Sequence, residues 1–253
     1  MKTGGGWAAG RLRTLVIAHR GASGCRPENT LSAYEEAIVQ GADMVEIDLH
    51  RSRDGAIVVA HDRSLAALGG RGEIADALLA DIRGLDAGKG ERVPTLAEVL
   101  DAFGQRIAFN LELKQGQRGP YPELEAAALC AVRARNLLER TLFSSFYDPL
   151  LRSLREQCAQ ARLALLISRR FPTSWEERAR GLGAEALHPE CSLVDRELVE
   201  RAHGAGLAVH PFTEDDPDRI ERLLDLGVDG VFTNQPGRMR RLLARRLARA
   251  GDA

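Results

Sequence analysis

Met44-Val45-Glu46-Ile47-Asp48-Leu49 reads as a strand with two unlike faces. Successive side chains on a strand point to opposite sides. Glu46 and Asp48 therefore share one face, and Val45, Ile47 and Leu49 share the other. Asn110-Leu111-Glu112-Leu113-Lys114 repeats the arrangement, with Asn110, Glu112 and Lys114 opposite Phe109, Leu111 and Leu113. A third stretch, Ala18-His19-Arg20-Gly21-Ala22, sets a histidine and an arginine directly after an apolar run. Buried charge is costly unless it is paired, metal-bound or chemically used. Several such strands in one domain imply a common polar mouth.

Outward from these strands, short β-branched runs alternate with amphipathic helical stretches. Strands are predicted over Thr14–Ala18, Met44–Leu49, Ile57–Ala60, Ile107–Leu113, Thr141–Ser145, Leu163–Ile167, Glu185–His188, Leu207–Phe212 and Gly230–Thr233. Helices are predicted over Leu31–Gln40, Leu96–Phe103, Glu123–Asn136, Asp148–Gln157, Ser174–Gly181, Asp195–Ala205, Pro217–Leu226 and Arg238–Ala250. Asn29-Thr30 offers an N-cap before Leu31, and Gly41, Gly204, Gly206 and Gly227 stand where helices end. Strand–helix alternation with short loops calls for parallel pairing. The 253 residues match the roughly 250 of a single (β/α)8 barrel. No linker or charge block divides them, so the expected organisation is a flexible lead-in over residues 1–13 and one TIM-type α/β barrel domain over 14–250.

Nine strands are predicted where such a barrel has eight. Met44–Leu49 and Ile57–Ala60 are joined by His50–Ala56, which holds a turn signal at Asp54-Gly55 and no helix. That link is either a hairpin or an extended return, and the sequence leaves open which strand is extra. An open doubly wound sheet is the structural rival. It usually carries a G-x-G-x-x-G after its first strand, whereas this chain has His19-Arg20-Gly21-Ala22-Ser23-Gly24.

Composition narrows the classes. Apolar residues make up 44% and charged residues 28%, and the formal net charge is -1, so nucleic acid has no global electrostatic attraction to the chain. Cys25, Cys130, Cys158 and Cys191 are scattered without C-x-x-C spacing, which indicates neither a zinc site nor a disulfide framework. Cys25 reads as an ordinary small loop residue despite its nearness to His19. The first residues lack the apolar core of a secretory leader, and no apolar run approaches the roughly 18 residues of a membrane span. A cytoplasmic protein with reduced thiols is expected.

Polar residues at the C-terminal ends of barrel strands read as catalytic. His19 and Arg20 follow the first strand, Glu46 and Asp48 end the second, His61-Asp62 follows Ile57–Ala60, and Glu112 and Lys114 end the Ile107 strand. Three carboxylates brought together disfavour joint ionisation. A hard cation resolves the conflict, and all-oxygen ligation suits Mg²⁺, Ca²⁺ or Mn²⁺. Arg20 and Lys114 suit an anionic substrate such as a phosphate. Two histidines, His19 and His61, can divide acid and base work near neutral pH. Together these groups describe hydrolysis or transfer at a phosphoryl centre. Any one of them alone would read as a salt-bridge partner or a loop residue. Seven at the ends of predicted strands call for a shared role.

The same residues resemble the glycerophosphodiester phosphodiesterase family. The likeness runs through His19-Arg20-Gly21-Ala22, Pro27-Glu28-Asn29-Thr30, Gly41-Ala42-Asp43, Glu46-Ile47-Asp48, Asp54-Gly55 and Val58-Val59-Ala60-His61-Asp62. It continues in Val93-Pro94-Thr95-Leu96, Glu112-Leu113-Lys114, Ser144-Ser145-Phe146 and Gly227-Val228-Asp229-Gly230-Val231-Phe232-Thr233-Asn234. The resemblance implies a barrel of the phosphatidylinositol-phospholipase type. It also implies hydrolysis of a glycerophosphodiester to glycerol 3-phosphate and an alcohol with one divalent cation, Mg²⁺ or Ca²⁺, with Mn²⁺ as an alternative. By motif position His19 and His61 become the acid/base pair, Glu46, Asp48 and Glu112 the metal ligands, and Arg20 and Lys114 the phosphate contacts. Attack by a glycerol hydroxyl to give a cyclic intermediate is one mechanism it suggests, in a context of lipid and glycerol metabolism.

The chain departs from the family at Leu65-Ala66-Ala67-Leu68, where a leucine and an Arg-Thr pair are usual. It departs again at His210-Pro211-Phe212-Thr213-Glu214-Asp215, in place of a Trp-Thr-Val-Asn-like run. Both changes are expected at the pocket rim, where they bear on the substrate's alcohol. Phe212 either stacks on substrate or packs at the mouth, and His188 and His210 read as supporting residues. The C-terminal helix carries Arg238, Arg240, Arg241, Arg245, Arg246 and Arg249 opposite Met239, Leu242, Leu243 and Leu247. It reads as the last barrel helix with a solvated basic face, the other reading being contact with an anionic membrane. Beside glycerophosphodiester hydrolysis stand two alternatives: a lysophospholipase D-type phosphodiesterase and a non-catalytic barrel that binds phosphorylated ligands.

Overall fold

Period-two apolar runs and helical amphipathic runs resolve into a ring of strands wrapped by helices. The structure, a computed structural model, describes residues 13–170 and 174–251. Its elements are β1 Leu15–Ala18, α1 Leu31–Val39, β2 Met44–Arg51, β3 Ile57–Val59, α2 Leu79–Arg83, α3 Leu96–Phe103, β4 Ala108–Leu113, β5 Gln115–Gly116, β6 Gly119–Pro120, α4 Leu124–Arg133, β7 Thr141–Ser145, α5 Asp148–Gln157, β8 Arg162–Ile167, α6 Trp175–Leu182, β9 Ala186–Pro189, α7 Arg196–Gly204, β10 Ala208–Val209, α8 Pro217–Asp225, β11 Gly230–Thr233 and α9 Pro236–Gly251. Among the described residues, eight strands pair in parallel as β11-β1-β2-β4-β7-β8-β9-β10. β10 and β11 share no ladder. The N–H groups of Asp229, Phe232 and Glu214 instead donate to the carbonyls of Val209, Pro211 and Phe232, each at 2.9 Å, across that seam. The result is a nearly closed eight-stranded barrel forming one domain, as the alternation predicts.

The extra predicted strand is β3. It lies antiparallel on β2, with Leu49 opposite Val59 and Arg51 opposite Ile57, so the Asp54-Gly55 turn closes a hairpin outside the barrel. The strand predicted over Leu207–Phe212 shortens to β10 because Pro189, its neighbour on β9, has no N–H to give the ladder. Phe212 still donates to the Pro189 carbonyl at 2.9 Å. Two features were not foreseen. Val58, Ala60, Leu65, Ile74, Ile82 and Val93 form a small side core, which explains why the compact segment from Ser64 to Gly90 is folded. A short antiparallel pair, β5 with β6, follows Lys114.

Packing follows the strand parity. Val45, Ile47, Leu49, Phe109, Leu111, Phe143, Leu165 and Val231 face the helices in the main core. Leu15, Ile17, Met44, Ala108, Leu142, Ala164, Ala186, Ala208 and Phe232 fill the inside of the ring. Helix starts agree with their capping residues. Thr95 and Glu98 form a reciprocal capping box at α3, and Asp216 caps α8 with Pro217 in its first turn. Such caps are each worth about 1 kcal/mol. Helix α9 buries Met239, Leu242 and Leu243 against the core, while Arg240 reaches the Gly41 carbonyl and Asp43. It is thus the last helix of the barrel. The lead-in expected over residues 1–13 lies outside the described residues except for Arg13, which pairs with Asp43. No helix among the described residues is long and apolar enough to cross a membrane.

Candidate active site

Barrel registry assembles the carboxylates. In the β2–β4 ladder Glu46 lies beside Asn110 and Asp48 beside Glu112. The inner-face parity read from the sequence therefore holds. Glu46, Asp48 and Glu112 are buried, with carboxylate oxygens within 4.8 Å of one another. Lys114 Nζ sits 2.8 Å from Asp48 Oδ1 and 2.6 Å from Glu112 Oε1. Arg20 Nε lies 3.4 Å from Asp48 Oδ2, its Nη1 donates to Glu28 at 2.9 Å, and its backbone N–H donates to Glu46 Oε2 at 2.9 Å. Two half-buried cations thus face three buried carboxylates.

The electrostatic consequences differ residue by residue. Burial, reinforced by the Asp48 and Glu112 charges, pushes the Glu46 carboxyl well above the usual range. Burial also raises Glu112, against the pull of Lys114. Asp48 moves the other way, held far below its ordinary value by Lys114 and Arg20 despite its burial. Lys114, flanked by Asp48 and Glu112, is raised despite its own desolvation. Asn29 donates to Asp48 Oδ2 at 2.8 Å and takes a hydrogen bond from Tyr34 Oη at 2.9 Å. The sequence marks Asn29 as part of a helix cap; its grip on Asp48 becomes visible once α1 packs on β2.

Gly21 sets the turn that delivers His19 and Arg20. Its φ is +82°, and a Cβ there would come within 2.7 Å of Ala33, so a side chain is excluded by conformation and by space. His19 Nδ1 lies 2.8 Å from Asn234 Oδ1. Burial and the neighbouring Arg20 lower the His19 pKa to about 4. His61 stands at the rim, its Nδ1 2.8 Å from Asp62 Oδ1. Beneath it, buried His50 has Nε2 3.1 Å from the His61 carbonyl and Nδ1 2.7 Å from Tyr121 Oη. A carbonyl only accepts, so His50 Nε2 carries the proton and Tyr121 donates to Nδ1. His50 shares the Glu46/Asp48 face, and Tyr121 arrives from the loop after β6. Sequence reading passed over both because their link spans 71 positions.

A cavity of about 390 Å³ opens here, lined by residues that include His50, His61, Glu112, Lys114, Phe146 and Tyr147. A cleft of about 600 Å³ lies beyond Tyr121, where Arg118 pairs with Asp76 and Arg51 with Glu123. Phe212 is half-buried and packs edge-on against Phe146 and Phe232, at 5.9 and 6.4 Å between ring centroids. His188 and His210 lie inside the barrel, 3.2 Å apart. Cys25 is exposed and takes no part in the site, and all four cysteines are free.

The carboxylate trio fits a hard divalent ion on its own chemistry. The donor set is all oxygen, and Glu46 Oε1 is a buried acceptor with no hydrogen-bond partner. A nearly closed (β/α)8 barrel with carboxylates, basic residues and two histidines at its mouth defines a barrel enzyme built for phosphoryl chemistry. The glycerophosphoryl diester phosphodiesterase family model matches residues 19–238, and the chain belongs to that family. It is 36% identical over 234 residues, 89% of its length and 96% of the relative's, to the glycerophosphodiester phosphodiesterase of Caldanaerobacter subterraneus subsp. tengcongensis. It is 33% identical to that of Bacillus subtilis, over 88% of this chain and 84% of the relative. An Oleispira antarctica phosphodiesterase, solved in complex with its product sn-glycerol-3-phosphate, superposes with a TM-score of 0.83 at 33% identity. That superposition covers 91% of this chain and 96% of the other.

Proposed function

We propose that this enzyme, through its domain over residues 14–250, hydrolyses glycerophosphodiesters to glycerol 3-phosphate and an alcohol with the help of one divalent cation. The buried trio Glu46, Asp48 and Glu112 carries the reading, because Lys114 and Arg20 beside it offset only two of the three carboxylate charges, and a bound cation or proton uptake would offset the third. Glu46, Asp48 and Glu112 hold the ion, which when bound supplies charge neutralisation at the phosphoryl oxygens. Mg²⁺ and Ca²⁺ both suit the donors, as does Mn²⁺. Arg20 and Lys114, each within 3.4 Å of Asp48, grip the phosphate. The product complex of the Oleispira relative supports glycerol 3-phosphate as the retained half.

His19, neutral at physiological pH because its pKa is lowered to about 4, takes the proton of the attacking hydroxyl. His61, at the exposed lip of the mouth, returns a proton to the leaving alcohol oxygen. Attack by the neighbouring glycerol hydroxyl, with later hydrolysis of the cyclic ester, satisfies the same two roles. Phe212 contributes an aromatic wall near the alcohol side of the mouth.

The test is glycerol 3-phosphate release from glycerophosphocholine and glycerophosphoethanolamine. Metal-stripped protein is assayed with Mg²⁺, Ca²⁺ or Mn²⁺ restored, beside His19→Ala and His61→Ala. Metal-dependent release lost in both variants is expected. Release from lysophospholipids instead would move the substrate to the lysophospholipase D type, and phosphate-ester binding without turnover of any substrate would sink the catalytic reading.

A further inference from the structure

We propose that Asp215, acting through the amide of Asn234, fixes which nitrogen of His19 carries the proton. Both are positioning residues, and the inference rests on the reading of His19 as the catalytic base. Asn234 Nδ2 lies 2.7 Å from Asp215 Oδ2, and the Asn234 backbone N–H and the Thr233 hydroxyl both reach Asp215 Oδ1 at 2.7 Å. An ionised carboxylate has no proton to give, so the Asn234 group facing it must be the NH₂. The amide oxygen then faces His19, 2.8 Å from Nδ1. That oxygen only accepts, so His19 Nδ1 must hold the proton and Nε2 is left as the one ring nitrogen able to take another. Ser23 Oγ, 2.8 Å from both Asn234 Oδ1 and the His19 carbonyl, adds a second donor to this oxygen or ties down the turn. Asn234 follows β11, Asp215 stands before α8, and His19 follows β1. The relay therefore spans the barrel seam, where β10 and β11 lack a ladder.

The logic yields a swap test. In Asp215→Asn the two donors at Oδ1 keep the new amide oxygen in place, which points its NH₂ at the NH₂ of Asn234. Relief requires Asn234 to turn over, so that an N–H now faces His19 Nδ1. The His19 proton must then move to Nε2, and the base is lost without any change in net charge on the ring. The double variant Asp215→Asn/Asn234→Asp restores every donor–acceptor pair, since the carboxylate now at position 234 accepts from both the amide at position 215 and His19.

The experiment is long-range ¹H–¹⁵N correlation spectroscopy of the imidazoles on the full chain, with His19 assigned against His19→Gln, beside steady-state kinetics. Thermal melts verify folding. We expect the parent to show a pyrrole-like Nδ1 and a pyridine-like Nε2 at His19. Asp215→Asn should exchange the two and lower kcat about 100-fold, within the range ascribed to general base catalysis, with KM unchanged. The double variant should return both the spectrum and most of kcat. A folded Asp215→Asn protein whose His19 signals match the parent overturns the relay, as does a double variant that stays exchanged. Exchanged signals with undiminished kcat would support the relay and overturn instead the reading of His19 as the base.

Discussion

Replacing Glu46 by Gln should stabilise the metal-free enzyme while abolishing its response to metal. Glu46 is 2% exposed, has no hydrogen-bond partner at Oε1 and shares its site with two further carboxylates. Its carboxyl is raised well above the ordinary 4.5, by burial first and by Asp48 and Glu112 next. A group with a raised folded-state pKa binds more protons folded than unfolded. The native protein therefore loses stability as pH climbs from about 4.5 toward the raised value. Each tenfold gain in proton affinity is about 1.4 kcal/mol, and a chain of this size shifts its Tm by roughly 2–4 °C per kcal/mol. The amide keeps an acceptor for the Arg20 N–H and turns a donor toward the remaining carboxylates. Glu46→Gln should thus melt at least about 3–6 °C above the parent in chelator at pH 8, with the gap shrinking as pH falls toward 4.5. Added Mg²⁺ or Ca²⁺ should raise the parent and leave the variant unmoved. A variant that melts below the parent at pH 8 and still gains stability from the metal would refute both the electrostatic account and the metal assignment of Glu46.

Tyr121→Phe removes the hydroxyl that fixes His50 under the His61 backbone. At 0.5–1.5 kcal/mol for such a bond, kcat should fall by about 2- to 12-fold with KM steady, and an equal rise in KM would contradict positioning of His61. Lys114→Met deletes contacts of 2.8 and 2.6 Å to Asp48 and Glu112. Loss of a charged hydrogen bond worth about 1.5–3 kcal/mol predicts a 10- to 150-fold drop in kcat/KM, and a variant as active as the parent would remove Lys114 from the phosphate. Chelation should abolish turnover and lower Tm. Cation restored at about 100 times its Kd adds roughly 2.7 kcal/mol, or about 5–10 °C, and a chelator-insensitive Tm would argue against a resident ion.

Much of this site is legible before folding is considered, for a geometric reason. Glu46, Asp48 and His50 alternate along β2, and strand parity alone assigns them to one face. The registers Glu46–Asn110 and Asp48–Glu112 then need no more than adjacency of β2 and β4. The extra strand was harder because hairpin and extended return place the same residues in the same seven-position link, and only pairing separates them. The relay from Asp215 to His19 was illegible for a related reason. Asn234 and His19 are 215 positions apart, and they meet because the ring closes β11 onto β1. Periodicity along a chain says nothing about contacts made by closure.

Closure also explains how the barrel tolerates its polar interior. Inward positions of such barrels are usually filled by branched apolar residues, yet here Glu46, Asn110, Ser144, His188 and His210 are all buried. The apolar layer beneath them leans on Leu15, Ile17, Met44, Leu142 and Phe232, with alanines at 108, 164, 186 and 208. The larger cluster lies outside the ring, against the helices. Stability is therefore concentrated between strands and helices, where Val45, Ile47, Leu111 and Phe143 pack. The inner face is left free to hold charge. Asn29, Asn234 and Tyr121 each grip one functional group by a hydrogen bond of 2.9 Å or less, and each comes from outside the inner face of the strands. The departures from the family pattern at Ala66-Ala67 and Phe212 fall on the side core's edge and the aromatic mouth. They leave Glu46, Asp48, Glu112, His19 and His61 in place, while the departure at Asp215 falls on the residue proposed above to orient His19 through Asn234.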